Sequence, residues 1–265
     1  MKIGFIGCGN MATAIIKGIC ENKKNGEKDI LVYDVYSPAC ENAAKAFNAA
    51  VLNSEEEIAN NADIVFLAVK PNVISSVLKK ISKSVSEKLP LIVSIAAGKT
   101  IDFLSNCLET DARIIRVMPN INAKVGEAIS AYCFNGNVTE KDKENVEALL
   151  GCIGKVMCLD ESAFPLFGVL GGCAPAYTYM FIDALARAGV KNGMKKDDAL
   201  KIVAQTVYGS AKMILESDEH PWKLIDSVCS PGGTTIEGVL SLQADGFEKA
   251  VHNAVDKSLD KDRKL

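Results

Sequence analysis

Two stretches of this chain combine residue types and spacing that can do chemistry: Gly7-Cys8-Gly9-Asn10-Met11-Ala12 near the start and Ser230-Pro231-Gly232-Gly233-Thr234-Thr235 near the end. In the first, Gly7-x-Gly9-x-x-Ala12 follows the apolar run KIGFI, which ends at Ile6, and opens a helical pattern. Gly7 permits a tight turn, Gly9 lets the backbone approach a pyrophosphate, and Ala12 allows close packing of helix on strand. The helix start adds amide donors and the positive end of a dipole. Ile6 to Met11 is therefore expected to hold a dinucleotide.

The second stretch has two readings. Pro-Gly-Gly is a turn, and Thr234-x-x-Glu237 has capping-box spacing, so the segment is sufficient as a plain helix start. The same free amides and glycines also make an anion site that a carboxylate can approach.

More candidates stand where apolar runs end. Asp34 closes ILVYD, 22 residues after Ala12. An acid there accepts from the adenosine ribose and repels a 2′-phosphate, which favours NADH; alternatively it serves as the turn residue or N-cap of the next helix. No arginine follows, although Ser37 has a hydroxyl to offer a phosphate. Ala68-Val69-Lys70-Pro71 ends a second run, Ala96-Ala97 a third and Met118-Pro119 a fourth. Ligands bind at such carboxyl edges, so these residues are expected to line the nicotinamide end.

A strong acid–base pair is missing from the pattern. His220 precedes Pro-Trp, His252 lies in a polar helical stretch, and Lys191 and Asn192 are adjacent rather than a turn apart. Carbonyl reduction needs a positioned acid for the developing alkoxide. A cyclic imine is basic enough to arrive protonated, so orientation, a carboxylate anchor and a modest hydrogen-bond partner suffice.

The elements that must position these residues change character along the chain. KIGFI, ILVYD, DIVFLAV, LIVSIA and ARIIRVM are short, apolar and bounded by breakers, as strands buried on both faces of a parallel sheet are. They alternate with the helical patterns NMATAIIKGICEN, SPACENAAKAF, SEEEIANN and NVISSVLKKIS. AISAYCF and GKVMCL extend the sheet around a helical TEKDKENVEALLGC, and after about Asp160 only helical periods remain. The expected fold class is α/β: an N-terminal Rossmann domain over 1–160 and an all-helical domain over 161–265.

Composition narrows the setting. The 265 residues are 48% hydrophobic and 24% charged with a net charge of −3, which gives no nucleic-acid footprint. Nine cysteines without a CxxC pair, and two histidines far from any cysteine pair, read as reduced, mostly buried thiols in the cytoplasm with no structural metal. Met1-Lys2 leads straight into IGFIG, which leaves no room for a targeting segment. Ser162 to Ile182 carries no charge, but its two prolines and Gly-Gly favour a buried core or subunit interface over a membrane span.

GFIGCGNM, AVKP, SIAAG, RVMPN, PAY, GSAKMILES, EHPWKL and VCSPGGTTIEG, in order along nearly the whole chain, resemble pyrroline-5-carboxylate reductase. The resemblance implies reduction of 1-pyrroline-5-carboxylate to L-proline with NADPH as hydride donor, NADH remaining open because Asp34 replaces a small hydroxyl residue. It implies a helical dimerisation domain whose helices interleave with those of a second copy, and rings of five such dimers. Carried over, Gly233, Thr234 and Thr235 offer amides to the substrate carboxylate, and the Thr235 hydroxyl lies near the ring nitrogen. Ser230 supports that loop, and Glu161 matches a position near the substrate. Cys173-Ala174 stand where relatives have Ser-Gly. The competing readings are a β-hydroxyacid dehydrogenase, which needs the absent Lys/Asn arrangement, and a non-catalytic dinucleotide-binding regulator, which has no need of a second anion loop.

Overall fold

The computed structural model describes residues 1–22 and 29–263, and the chain divides into two compact units, Met1–Gly172 and Cys173–Lys264. In the first, strands β1 (Lys2–Ile6), β2 (Asp29–Tyr33), β3 (Ala50–Val51), β4 (Ile64–Leu67), β5 (Leu91–Ser94), β6 (Ile114–Met118), β7 (Ala128–Phe134) and β8 (Gly154–Cys158) form one sheet. Their order is β3-β2-β1-β4-β5-β6-β7-β8. The first six strands are parallel in the order of a dinucleotide-binding fold. β7 runs antiparallel to β6, and β8 is parallel to β7. The link from Pro119 to Glu127 explains the reversal, because a parallel crossover needs about a dozen residues or more.

Helices α1 (Asn10–Glu21), α2 (Ser37–Phe47), α3 (Glu55–Asn61), α4 (Ile74–Lys88), α5 (Ile101–Leu108) and α6 (Glu140–Leu150) cover the sheet. Successive residues of one strand enter different cores. Ile64 and Phe66 of β4 pack with Ile15 and Ile16 of α1, whereas Val65 and Leu67 pack with Ile74 and Leu78 of α4. Burial on both faces is why these strands read as continuous apolar runs. Phe5 and Phe66 stack at 4.8 Å between ring centroids across neighbouring strands. A third cluster joins Ile101, Ala131, Cys133, Phe164 of the short helix α7 (Phe164–Phe167), and Phe167.

The second unit is helical: α8 (Ala174–Lys191), α9 (Lys196–Glu216), α10 (Pro221–Val228), α11 (Thr234–Ala244) and α12 (Phe247–Asp262). The Tyr177 hydroxyl meets the Ser258 hydroxyl at 2.5 Å, tying α8 to α12. Among its described residues only Ala186 and Ala199 are buried, while Met180, Ile202, Met213, Leu215 and Val228 are more than half exposed.

Several sequence expectations change here. α5 and α10 are too short for a persuasive period and α10 begins at a proline, so neither appears among the expected helices. β3, at two residues, carries no pattern at all. Only three of the nine cysteines are buried (Cys8, Cys40 and Cys133); Cys20, Cys158 and Cys173 are exposed, and all nine are free. The uncharged segment is divided: Phe164, Phe167 and Val169 are buried, whereas Leu170, Tyr179 and Met180 are more than half exposed. The helical run Glu161–Lys191 is long and apolar enough to cross a membrane by length and composition, and 17% of its most apolar window is buried.

Candidate functional site

The turn after β1 shows why its residue types are required. Gly7 has φ +99°, and a Cβ there would lie 2.6 Å from the Ala68 carbonyl oxygen. No L side chain fits that position. Gly9 caps α1 with extended backbone, and a Cβ on it would face open space. No side chain caps this helix and no acid stands in its first turn. The first intrahelical bond runs from Thr13 N–H to Gly9 C=O, so the amides of Asn10, Met11 and Ala12 have no partner within the helix. An uncapped, acid-free helix start beside an open glycine suits a phosphate.

Cavities flank this turn on two sides. One, of about 380 Å³, is lined by Gly9 to Ala12, Ala68 to Pro71, Ile95 to Ala97 and Arg116 to Pro119. The other, of about 210 Å³, is lined by Ile6, Gly7, Asp34, Glu55, Ser76 and Lys80 among others, and Val69 borders both. All the expected cofactor residues except Cys8 line one cavity or the other. The Cys8 side chain is buried 4.0 Å from the Cys40 sulfur, and burial pushes its thiol well above the usual cysteine range. Its amide donates to Asp34 Oδ2 at 2.7 Å, while Asp34 Oδ1 accepts from the Tyr36 amide at 2.9 Å. Asp34 therefore ties the end of β2 to the glycine turn, and its turn role is real alongside its place on the cavity wall.

Arg116 is the one charge inside the buried run IIRVM. Its side chain is 9% exposed and lies over the Phe164 ring, 4.4 Å from the centroid. Nη1 donates to Glu161 Oε1 at 2.7 Å, and the same oxygen accepts from the Ile101 amide, the first of α5, at 2.9 Å. Glu161 thus binds a helix start and a buried guanidinium. It also lines a further cavity, of about 770 Å³, with Asp102, Cys133 and Cys158. Cys133 is pushed up to about 12, mainly by burial. Nearby, the side-chain amide of Asn120 donates to the Gly171 carbonyl at 3.0 Å.

In the second unit Ser230 to Thr235 form one compact loop. Pro231 and Gly232 (φ +68°) occupy the middle of a turn closed by Gly233 N–H to Ser230 C=O at 3.0 Å, the type II pattern. A Cβ on Gly233 would collide with the Ser230 hydroxyl, so Gly233 is needed for that serine to pack against it. The capping box does not form. Gly233, not Thr234, is the N-cap of α11, and no side chain caps the helix. The N-terminal amides of α11 therefore lack a side-chain partner, and Thr234 and Thr235 are exposed. Among the described residues no cluster of three or more His, Cys, Asp or Glu stands at metal-binding geometry.

Comparison with known proteins places this geometry. Residues 161–265 match the family model described as pyrroline-5-carboxylate reductase dimerisation, and residues 2–98 match that described as NADP oxidoreductase, coenzyme F420-dependent. The chain is 43% identical to pyrroline-5-carboxylate reductase of Escherichia coli (strain K12) over 265 residues, covering 100% of this chain and 98% of the relative. Plasmodium falciparum pyrroline carboxylate reductase, solved with NADP bound, superposes with a TM-score of 0.85 at 34% identity, covering 100% of this chain and 97% of that one. Coxiella burnetii pyrroline-5-carboxylate reductase gives a TM-score of 0.93 at 29% identity, covering 99% and 97%.

Proposed function

The chain belongs to the pyrroline-5-carboxylate reductase family, and from that premise we propose that it reduces 1-pyrroline-5-carboxylate to L-proline, the last step of proline biosynthesis. The observation that carries this reading is the pair of cavities meeting at the Gly7–Ala12 turn, with unpartnered helix amides there. A nicotinamide dinucleotide, NADPH or NADH, supplies the hydride when bound. The amides of Asn10 and Met11 hold its pyrophosphate; the Cys8 amide is already committed to Asp34. Ala96, Ala97, Met118 and Pro119 wall the nicotinamide end.

On the substrate side, the uncapped amides of Thr234 and Thr235 receive the carboxylate; the Gly233 N–H is already committed to the Ser230 carbonyl. The Thr235 hydroxyl hydrogen-bonds the ring nitrogen, and Ser230 braces the turn beneath Gly233. The protonated imine needs no stronger acid than this, in keeping with the absence of a His–carboxylate pair from the motifs. Glu161 contributes by holding Arg116, a wall residue of the dinucleotide cavity.

Self-association supplies the core that the second unit lacks: two buried alanines do not offset the entropy of ordering five helices. We assign 161–265 to an interleaved homodimer, with five dimers to a ring, which light scattering of the purified chain tests. The nine free thiols suit a reducing cytoplasm.

Purified chain incubated with pyrroline-5-carboxylate and NADPH or NADH should deplete the reduced nicotinamide; no oxidation with either donor sinks the activity. Thr235→Ala should lower kcat by about two to three orders of magnitude, as losing one transition-state hydrogen bond does, with dinucleotide affinity unchanged. Equal loss of both would make Thr235 a structural residue.

A further inference from the structure

Resting on the reading that a nicotinamide dinucleotide lies across the Gly7 turn, we propose that Asp34 and the Glu55–Lys80 pair make the adenosine end of this site select NADH over NADPH. The two donors differ only at the ribose 2′ position, a neutral hydroxyl in one and a phosphate of roughly two negative charges in the other. The 2′ position of a dinucleotide in this fold lies at the end of β2, where Asp34 lines the cavity beside Gly7.

Asp34 is not free to swing aside for a phosphate. Each carboxylate oxygen is held by a backbone amide, Cys8 on Oδ2 at 2.7 Å and Tyr36 on Oδ1 at 2.9 Å. Each oxygen keeps a lone pair with which to accept from a ribose hydroxyl, so the brace fixes an acceptor without exhausting it. A 2′-phosphate would instead meet a fixed negative charge.

That phosphate would need a cation, and among the described residues Lys80 is the single basic one on this cavity's wall. Its ammonium is engaged: Nζ lies 2.9 Å from Oε1 of Glu55, whose side chain is 6% exposed. Glu55 is anchored at the start of α3, so it cannot follow a departing lysine into solvent. With two carboxylates, Asp34 and Glu55, and one lysine among its lining residues, the wall carries a net negative charge. Ser37, whose hydroxyl follows Asp34 by three positions, opens α2 exposed and does not line the cavity.

Calorimetric titration of the full chain with NADH and NADPH, and with the fragments 5′-AMP and 2′,5′-ADP, reads this directly without turnover. Wild type should bind NADH at least about tenfold tighter than NADPH, and Asp34→Asn should narrow that ratio to about threefold or less. Asparagine retains an oxygen for the Cys8 amide, which preserves the turn. Glu55→Gln, which releases Lys80, should raise 2′,5′-ADP affinity by about threefold or more relative to 5′-AMP. Equal or tighter binding of NADPH by the wild type overturns the selection and leaves dinucleotide binding intact, as does a preference that neither variant moves. Failure to bind either dinucleotide overturns the dinucleotide reading itself, and the selection with it.

Discussion

Glu161→Ala separates two roles for one side chain. The carboxylate either positions Arg116 and α5 or acts as a ligand of the substrate, and the two roles predict different losses. Its Oε1 accepts from Arg116 Nη1 at 2.7 Å and from the Ile101 amide at 2.9 Å. Alanine would strand a guanidinium that is 9% exposed and leave a helix amide without its acceptor. Breaking a buried pair costs about 3–5 kcal/mol, and the one-third exposure of the Glu161 side chain puts this case near the bottom, about 3 kcal/mol. At about 2–4 °C per kcal/mol for a unit of this size, the melting midpoint should fall by roughly 6–12 °C. Glu161→Gln keeps an acceptor and loses only the charge, so about 1–2 kcal/mol is expected. Urea and thermal unfolding followed by circular dichroism, alongside steady-state KM for the imine, give the answer. If Glu161→Ala melts within about 1 °C of wild type while KM rises about tenfold, the positioning argument is wrong and Glu161 is a substrate ligand. A further check is Arg116→Met with Glu161→Leu: replacing the whole pair by apolar side chains should recover most of the lost stability.

Gly7→Ala forces a side chain into φ +99° and against the Ala68 carbonyl, so it should cost about 1–3 kcal/mol and weaken dinucleotide binding, measured by unfolding and calorimetry together. Asp142 sets an acid-stability window. Burial alone would raise its carboxyl; hydrogen bonds from the Thr139 hydroxyl and amide, with Arg113 beside it, outweigh that and hold it below its ordinary 3.8. A depressed carboxyl stabilises the fold above its unfolded value, and that contribution disappears as pH falls through the folded value. Wild type should therefore lose stability below about pH 4 more steeply than Asp142→Asn, and parallel acid titrations of the two would contradict this.

What could be read from the residues, and what could not, divides along a physical line. Backbone conformations that exclude side chains impose a residue type on the spot, so Gly7 at φ +99° announced the first turn and Gly232 at φ +68° the second. Two-face burial likewise wrote itself into β1, β4, β5 and β6 as apolar runs. The capping box failed because a short consensus describes two geometries, and only the observed placement of Gly233 as N-cap of α11 distinguishes them.

The sequence by itself determined the α/β-then-helical plan, the glycine turn and the unusual loop at Ser230–Thr235. Each of those follows from local sterics or from period, which a neighbour in sequence is enough to enforce. Only the tertiary structure decided partners: Asp34 with the Cys8 amide 26 positions away, Lys80 with Glu55 at 25, Arg116 with Glu161 at 45. Such pairs depend on strand order and crossovers, which no window of residues encodes. A charged side chain shows in the sequence that it must be satisfied, and the fold alone chooses by whom.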